Sequence, residues 1–136
     1  MIKKINDISD TRKIAESLGK RLKGDEIICL YGDLGSGKTT FTKFLLKSLG
    51  VDRDVLSPTF TLRTDYTSNI GDIYHFDWYR MDSYEDLYGI DFFDVLNNGL
   101  VVIEWADKFE KALDRYDRIK ISFNFKDNSR YINIVE

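Results

Sequence analysis

The run Gly32-Asp33-Leu34-Gly35-Ser36-Gly37-Lys38-Thr39 has the spacing G-x-x-x-x-G-K-[ST], which is that of a loop built to cradle nucleotide phosphates. The chemistry needs these residue types at these places. Glycines let the backbone turn so that successive N–H groups face inward as an anion nest. A helix opening at Lys38 aims the positive end of its dipole at the same phosphates. Lys38 is then placed to reach the β- and γ-phosphates, and Thr39 Oγ1 to ligate magnesium.

Such a loop needs an acid at the end of a buried strand, facing the metal. Glu104 follows Leu100-Val101-Val102-Ile103 and is the first candidate; the plainer alternative is a carboxylate capping a helix that begins near Ala106. Asp77, after Ile73-Tyr74-His75-Phe76, is its rival. Both can serve, one on magnesium and one orienting the attacking water. His75, the only histidine, reads as a hydrogen-bonded strand residue before it reads as a catalyst. Arg80 stands open between an internal finger for transition-state charge and a surface contact. Trp78 and Tyr79 read as core or interface aromatics. No Asn-Lys pair exists to supply a guanine-reading N-K-x-D motif, and the D-x-x-G spacing at Asp86–Gly89 falls in an expected helix. The base is therefore expected to be adenine, with ATP and Mg2+ as cofactors. A small-molecule kinase is the alternative, but it needs a lid over a second substrate, and little of the chain is left for one.

The elements that must position these groups follow from patterning. Ser9 or Asp10 is expected to cap a first helix carrying Ile14, Leu18 and Leu22, ended by Gly24. Glu26–Tyr31 reads as a buried strand entering the loop. Phe41, Phe44, Leu45 and Leu49 form the stripe of a second helix that stops at Gly50. Pro58 opens an extended segment over Thr59–Tyr66, with Phe60 and Leu62 alternating against polar neighbours. A turn over Ser68–Asp72 leads to a strand at Ile73–Asp77. Ser83 with Asp86 resembles a capping box, and Asp91 suits the start of another short helix ending near Gly99. Leu100–Ile103 reads as a buried central strand. Ile119–Phe125 and Tyr131–Val135 alternate across Lys126–Ser129 as a hairpin. The expected fold is α/β: one P-loop domain over residues 1–136, a mixed parallel and antiparallel sheet flanked by helices, and a C-terminal β-hairpin.

Composition limits the partners. With 43% hydrophobic and 14% aromatic residues the chain can bury a real core. Its net charge of −3 offers no basic footprint for gripping nucleic acid unaided. The one cysteine, Cys29, sits in an apolar run and suits a buried strand in a reducing compartment. Met1–Asp10 carries no long apolar stretch, so neither a signal peptide nor a membrane helix is expected, and the cytoplasm is the expected location.

The loop extended to Thr40 and Phe41, then Ser57-Pro58-Thr59-Phe60, His75-Phe76-Asp77-Trp78-Tyr79-Arg80 and Ile103-Glu104-Trp105, occur in that order. Together they resemble the TsaE (YjeE) family, the ATPase component of bacterial threonylcarbamoyladenosine tRNA modification. The likeness covers about Thr11 to Arg130, and the last three motifs are more specific than the loop. Departures are Ser36 for a usual alanine, Met81 for leucine, Ala106 for proline, and a short C-terminus; none touches a phosphate or metal role. The resemblance implies that Thr59 lies near the γ-phosphate, that Asp77 is catalytic, and that Thr39 with Glu104 holds magnesium; Lys38, from the loop, and Arg80, from its place three residues past Asp77, are the other catalytic candidates. Nucleotide contacts are expected at Gly35, Ser36, Gly37, Lys38, Thr39 and Thr40, with Thr11 and Arg130 near the adenine. It implies TsaD and TsaB as partners, tRNA reached only through them, and a hydrolysis that is weak alone and resets the transferase complex.

Overall fold

The computed structural model describes residues 1–136. Strand β1 (Ile2–Ile5) precedes helix α1 (Ile8–Gly19), β2 (Ile27–Tyr31) and helix α2 (Lys38–Ser48). A hairpin of β3 (Arg63–Ser68) and β4 (Gly71–Asp77) leads through two short helices, α3 (Glu85–Gly89) and α4 (Phe92–Val95), to β5 (Leu100–Glu104). A 3₁₀ segment over Ala106–Leu113, broken at Phe109, precedes the closing hairpin of β6 (Ile119–Lys126) and β7 (Ser129–Val135).

The strands form one sheet in the order β1-β7-β6-β2-β5-β4-β3. Strands β6, β2, β5 and β4 pair in parallel, while β3 on one edge and β7 with β1 on the other pair antiparallel. This is the mixed α/β sheet with a C-terminal hairpin that the patterning indicates. All five residues of β5 are buried, because a parallel strand in mid-sheet is covered on both faces. Alternate side chains divide into two cores. Ile28, Leu30, Val102 and Ile121 pack with Leu18, Phe41 and Leu45 under α1 and α2. Cys29, Val101 and Ile103 pack with Trp78, Phe92 and Phe109 on the other face. Burial pushes the Cys29 thiol up to about 12, as an inert strand residue requires.

This division positions the site. Ile73, Leu100 and Val102 lie on the α2 face, so by the strand period of two His75, Asp77 and Glu104 point to that face as well. Asp77 and Glu104 are register partners at the C-terminal ends of β4 and β5, and Glu104 is also the partner of Leu30 in β2. All three ends meet where open α/β sheets bind ligands.

Several boundaries differ from the sequence expectation. The cap of α1 is Asp7, not Ser9 or Asp10. Its carboxylate accepts from the Ser9 and Asp10 N–H groups, and the Asp10 carboxylate reaches back to the Asp7 N–H, completing a capping box. The helix ends at Gly19 and not at Gly24, the chain turning through Lys20 before Gly24 adopts φ +116°. Strand β3 begins at Arg63 and not at Thr59. The Leu62 N–H donates to Pro58 O at 2.6 Å, and Leu62 takes the left-handed conformation, which closes a turn instead of a strand. At the Ser83/Asp86 box only the Asp86 half forms, accepting from the Asp82 and Ser83 N–H groups. Asp91 starts α4 without a side-chain cap bond.

Candidate nucleotide site

The loop between β2 and α2 takes positive φ at three glycines: Gly32 (+154°), Gly35 (+76°) and Gly37 (+109°). At Gly32 a Cβ would sit 2.6 Å from Ser36 Oγ and 3.0 Å from Phe123 O, so a side chain would push the loop off its neighbouring strand. Gly37 is the N-cap of α2 and offers no side chain to cap it. The first N–H groups of α2 are thus left to serve an anion.

Lys38 is nearly buried; its Nζ donates to the carbonyls of Gly32 and Asp33 (2.9 Å to the latter) and sits 4.1 Å from the centroid of the Trp105 ring. Burial pushes its ammonium pKa down, and the nearby charges of Glu104 and Asp77 pull it back up. Thr39 Oγ1 donates to Glu104 Oε1 at 2.8 Å, and His75 Nε2 lies 2.6 Å from Glu104 Oε2. Asp77 is held separately: Thr59 Oγ1 donates to Oδ2 and the Tyr79 N–H to Oδ1, both at 2.9 Å. Two carboxylates on adjacent strand ends are therefore fixed by different donors and face one cradle of backbone N–H groups.

That cradle opens into a cavity of about 250 Å³ lined by Leu34–Thr40 with Ser57, Thr59, Asp77, Glu104, Trp105 and Arg130. A second cavity of about 320 Å³ adjoins it through Ser36, Gly37, Thr40 and Arg130 and extends over Thr11, Asp7 and Tyr131. The first is lined mostly by polar residues and glycines and could take a polyphosphate; the second, between the start of α1 and β7, could take a flat base. A hydroxyl and a carboxylate beside a phosphate cradle are hard oxygen donors of the kind magnesium takes.

The profile of the family described as threonylcarbamoyl adenosine biosynthesis protein TsaE matches residues 5–132. The chain belongs to the TsaE family. A Rickettsia conorii protein named tRNA threonylcarbamoyladenosine biosynthesis protein TsaE is 34% identical over 146 aligned residues, covering 97% of this chain and 83% of the relative. The Aquifex aeolicus protein of the same name is 39% identical over 127 residues, covering 92% and 88%. Among solved structures, Bacillus subtilis YdiB superposes with a TM-score of 0.79 at 31% identity, over 98% of this chain and 83% of that one.

Set against the TsaE motifs, the structure brings Gly35, Ser36, Gly37, Lys38, Thr39, Thr40, Thr59, Asp77, Glu104 and Arg130 around the first cavity, and Thr11 and Arg130 around the second. Arg80 lines neither. It is exposed, with its guanidinium 5.0 Å from the ring of Phe60, itself 84% exposed. Trp78 is a core residue and Tyr79 is half-exposed against Trp105. Two participants were not assigned roles from sequence. Trp105 covers Lys38 from a left-handed backbone position (φ +60°), an unusual place for a large aromatic. His75 contacts Glu104, and the available signal was its place two residues before Asp77, on the same strand face.

Proposed function

We propose that this chain binds ATP with Mg2+ and hydrolyses the γ-phosphate as an accessory subunit in the formation of threonylcarbamoyladenosine on tRNA. The observation that carries the reading is the hydrogen bond from Thr39 to Glu104 at the mouth of the phosphate loop. It joins the hydroxyl and the strand-end acid that P-loop enzymes use on either side of the metal. Thr39 and Glu104 would hold magnesium, which would supply charge neutralisation to the phosphates.

The chain's own residues supply the remainder. The N–H groups of Gly35–Thr40 bind the α- and β-phosphates, and Lys38 leaves its carbonyl partners to meet the γ-phosphate. Asp77, braced by Thr59 and the Tyr79 N–H, orients the attacking water. Thr11, Arg130 and Tyr131 border the base and ribose.

TsaD and TsaB are the proposed partners, with tRNA reached only through them, in keeping with a net charge of −3. No helix is long and apolar enough to cross a membrane; the cytoplasm is the proposed location. Leu34, Leu56, Phe60 and Tyr79 are exposed near the phosphate loop and the segments that follow it. Exposed apolar side chains of this kind suit a covering protein partner. Arg80 stacks on Phe60 in this region, and a docking partner can swing it toward the γ-phosphate, where such an arginine adds about 10³–10⁵-fold in rate. The test is ADP release by the parent and by Arg80→Ala, each with and without TsaD and TsaB. Stimulation of the parent, lost in Arg80→Ala, is expected. Equal stimulation of both removes the arginine role, and none in the parent removes the partner-coupled ATPase.

A further inference from the structure

We propose that His75 is a positioning residue for Glu104: it ties down Oε2 so that Oε1 alone is presented, beside Thr39 Oγ1, to a divalent cation arriving with the nucleotide. The inference rests on the reading of Glu104 as a metal-holding residue. His75 is fully buried and Glu104 nearly so, with 2.6 Å between Nε2 and Oε2. In the β4–β5 register His75 faces Val102 while Glu104 faces Asp77, so the two side chains meet diagonally on one face of the sheet. The other ring nitrogen, Nδ1, is buried without any partner. A histidine kept only to satisfy the core would engage both nitrogens; this one spends its single contact on the carboxylate. An Nε2–H donor at that atom matches the geometry, and it leaves Nδ1 as a bare acceptor, which is tolerated better than an orphaned buried N–H.

The consequence is directional. A carboxylate with both oxygens free can swing, chelate through two oxygens, or turn to Lys38, which lines the same cavity. With Oε2 occupied by His75 and Oε1 by Thr39, one orientation remains. Outer partners of metal-holding residues typically contribute about 10–100-fold in metal affinity. Asp77 has its own donors, Thr59 and the Tyr79 N–H, so the effect falls on one acid and not on both.

The experiment measures the Mg2+ concentration needed for half-maximal strengthening of ADP binding, together with ADP affinity in chelator. It compares the parent, His75→Asn, His75→Gln and Glu104→Gln. The asparagine amide nitrogen takes the place of Nδ1 and falls short of Glu104, whereas the glutamine amide can reach the place of Nε2. Expected are a Mg2+ requirement raised about 10–100-fold in His75→Asn, unaltered chelator affinity, and a return toward the parent in His75→Gln. An unchanged requirement in His75→Asn, or an equal loss with and without Mg2+, overturns the proposal. If Glu104→Gln also leaves the requirement unchanged, the metal reading falls with it; if Glu104→Gln shifts while His75→Asn does not, only the His75 role falls. Should His75→Asn not fold, the parent decides. His75 is the sole histidine, so its ring ¹⁵N shifts report one residue, with the Nε2–H tautomer expected and Nδ1–H contradicting the proposal.

Discussion

Lys38 is the only lysine lining the phosphate cavity; the residue is nearly buried, and its ammonium is lodged among carbonyl oxygens and the Trp105 ring. A charge so placed is costly to keep, and a polyphosphate would offset that cost. ATP with Mg2+ is therefore expected to stabilise the parent against heat, by about 2.7 kcal/mol at a hundredfold excess over Kd. Lys38→Ala should abolish most of that shift; an undiminished shift would mean that the loop does not hold the phosphates. That Lys38, Thr39, Asp77 and Glu104 share one cavity was legible in the sequence, because the place of each follows a local rule, a glycine spacing or an acid after an apolar strand. The His75–Glu104 contact was not. It joins residues 29 apart and depends on which strands lie side by side and in what register.

Among the elements, the parallel centre of the sheet was legible for the same local reason: Ile27–Leu30 and Leu100–Ile103 are apolar on both faces. The closing hairpin was legible from alternation, and its two-residue turn does place Asp127 and Asn128 at positive φ. Strand β1 was missed because Ile2-Lys3-Lys4-Ile5 is short and largely exposed, and its pairing with β7 is a contact between the two ends of the chain. The cap of α1 was misplaced by two or three residues because Asp7, Ser9 and Asp10 are all cap formers, and only the reciprocal bond between Asp7 and Asp10 decides among them. That assignment is testable by urea unfolding. Asp7→Ala should cost about 0.5–2 kcal/mol and Ser9→Ala clearly less, since Ser9 Oγ only donates to the Asp7 carboxylate. A larger cost at Ser9 would return the cap to the position expected from sequence.

For the molecule as a whole, three strand ends, one glycine loop and the start of α1 converge on a single edge of the sheet, while both hydrophobic cores lie behind it. Everything assigned a chemical role except Arg80 lies on that edge, and Arg80 packs on exposed Phe60, outside both cavities. On the proposed function, such an arrangement would bind nucleotide unaided and would leave hydrolysis slow until a partner orders the exposed segment around Phe60 and Tyr79. We propose that this end of the sheet hydrolyses ATP through Asp77 and does not merely bind it. The most direct measurement is ADP release from Mg-ATP in the presence of TsaD and TsaB by the parent and by Asp77→Asn, with ATP affinity measured on the same preparations. Equal ATP affinity is expected, with a release rate lowered by about 10²–10⁴-fold in the variant. Equal release rates, or no ADP from the parent, would contradict it.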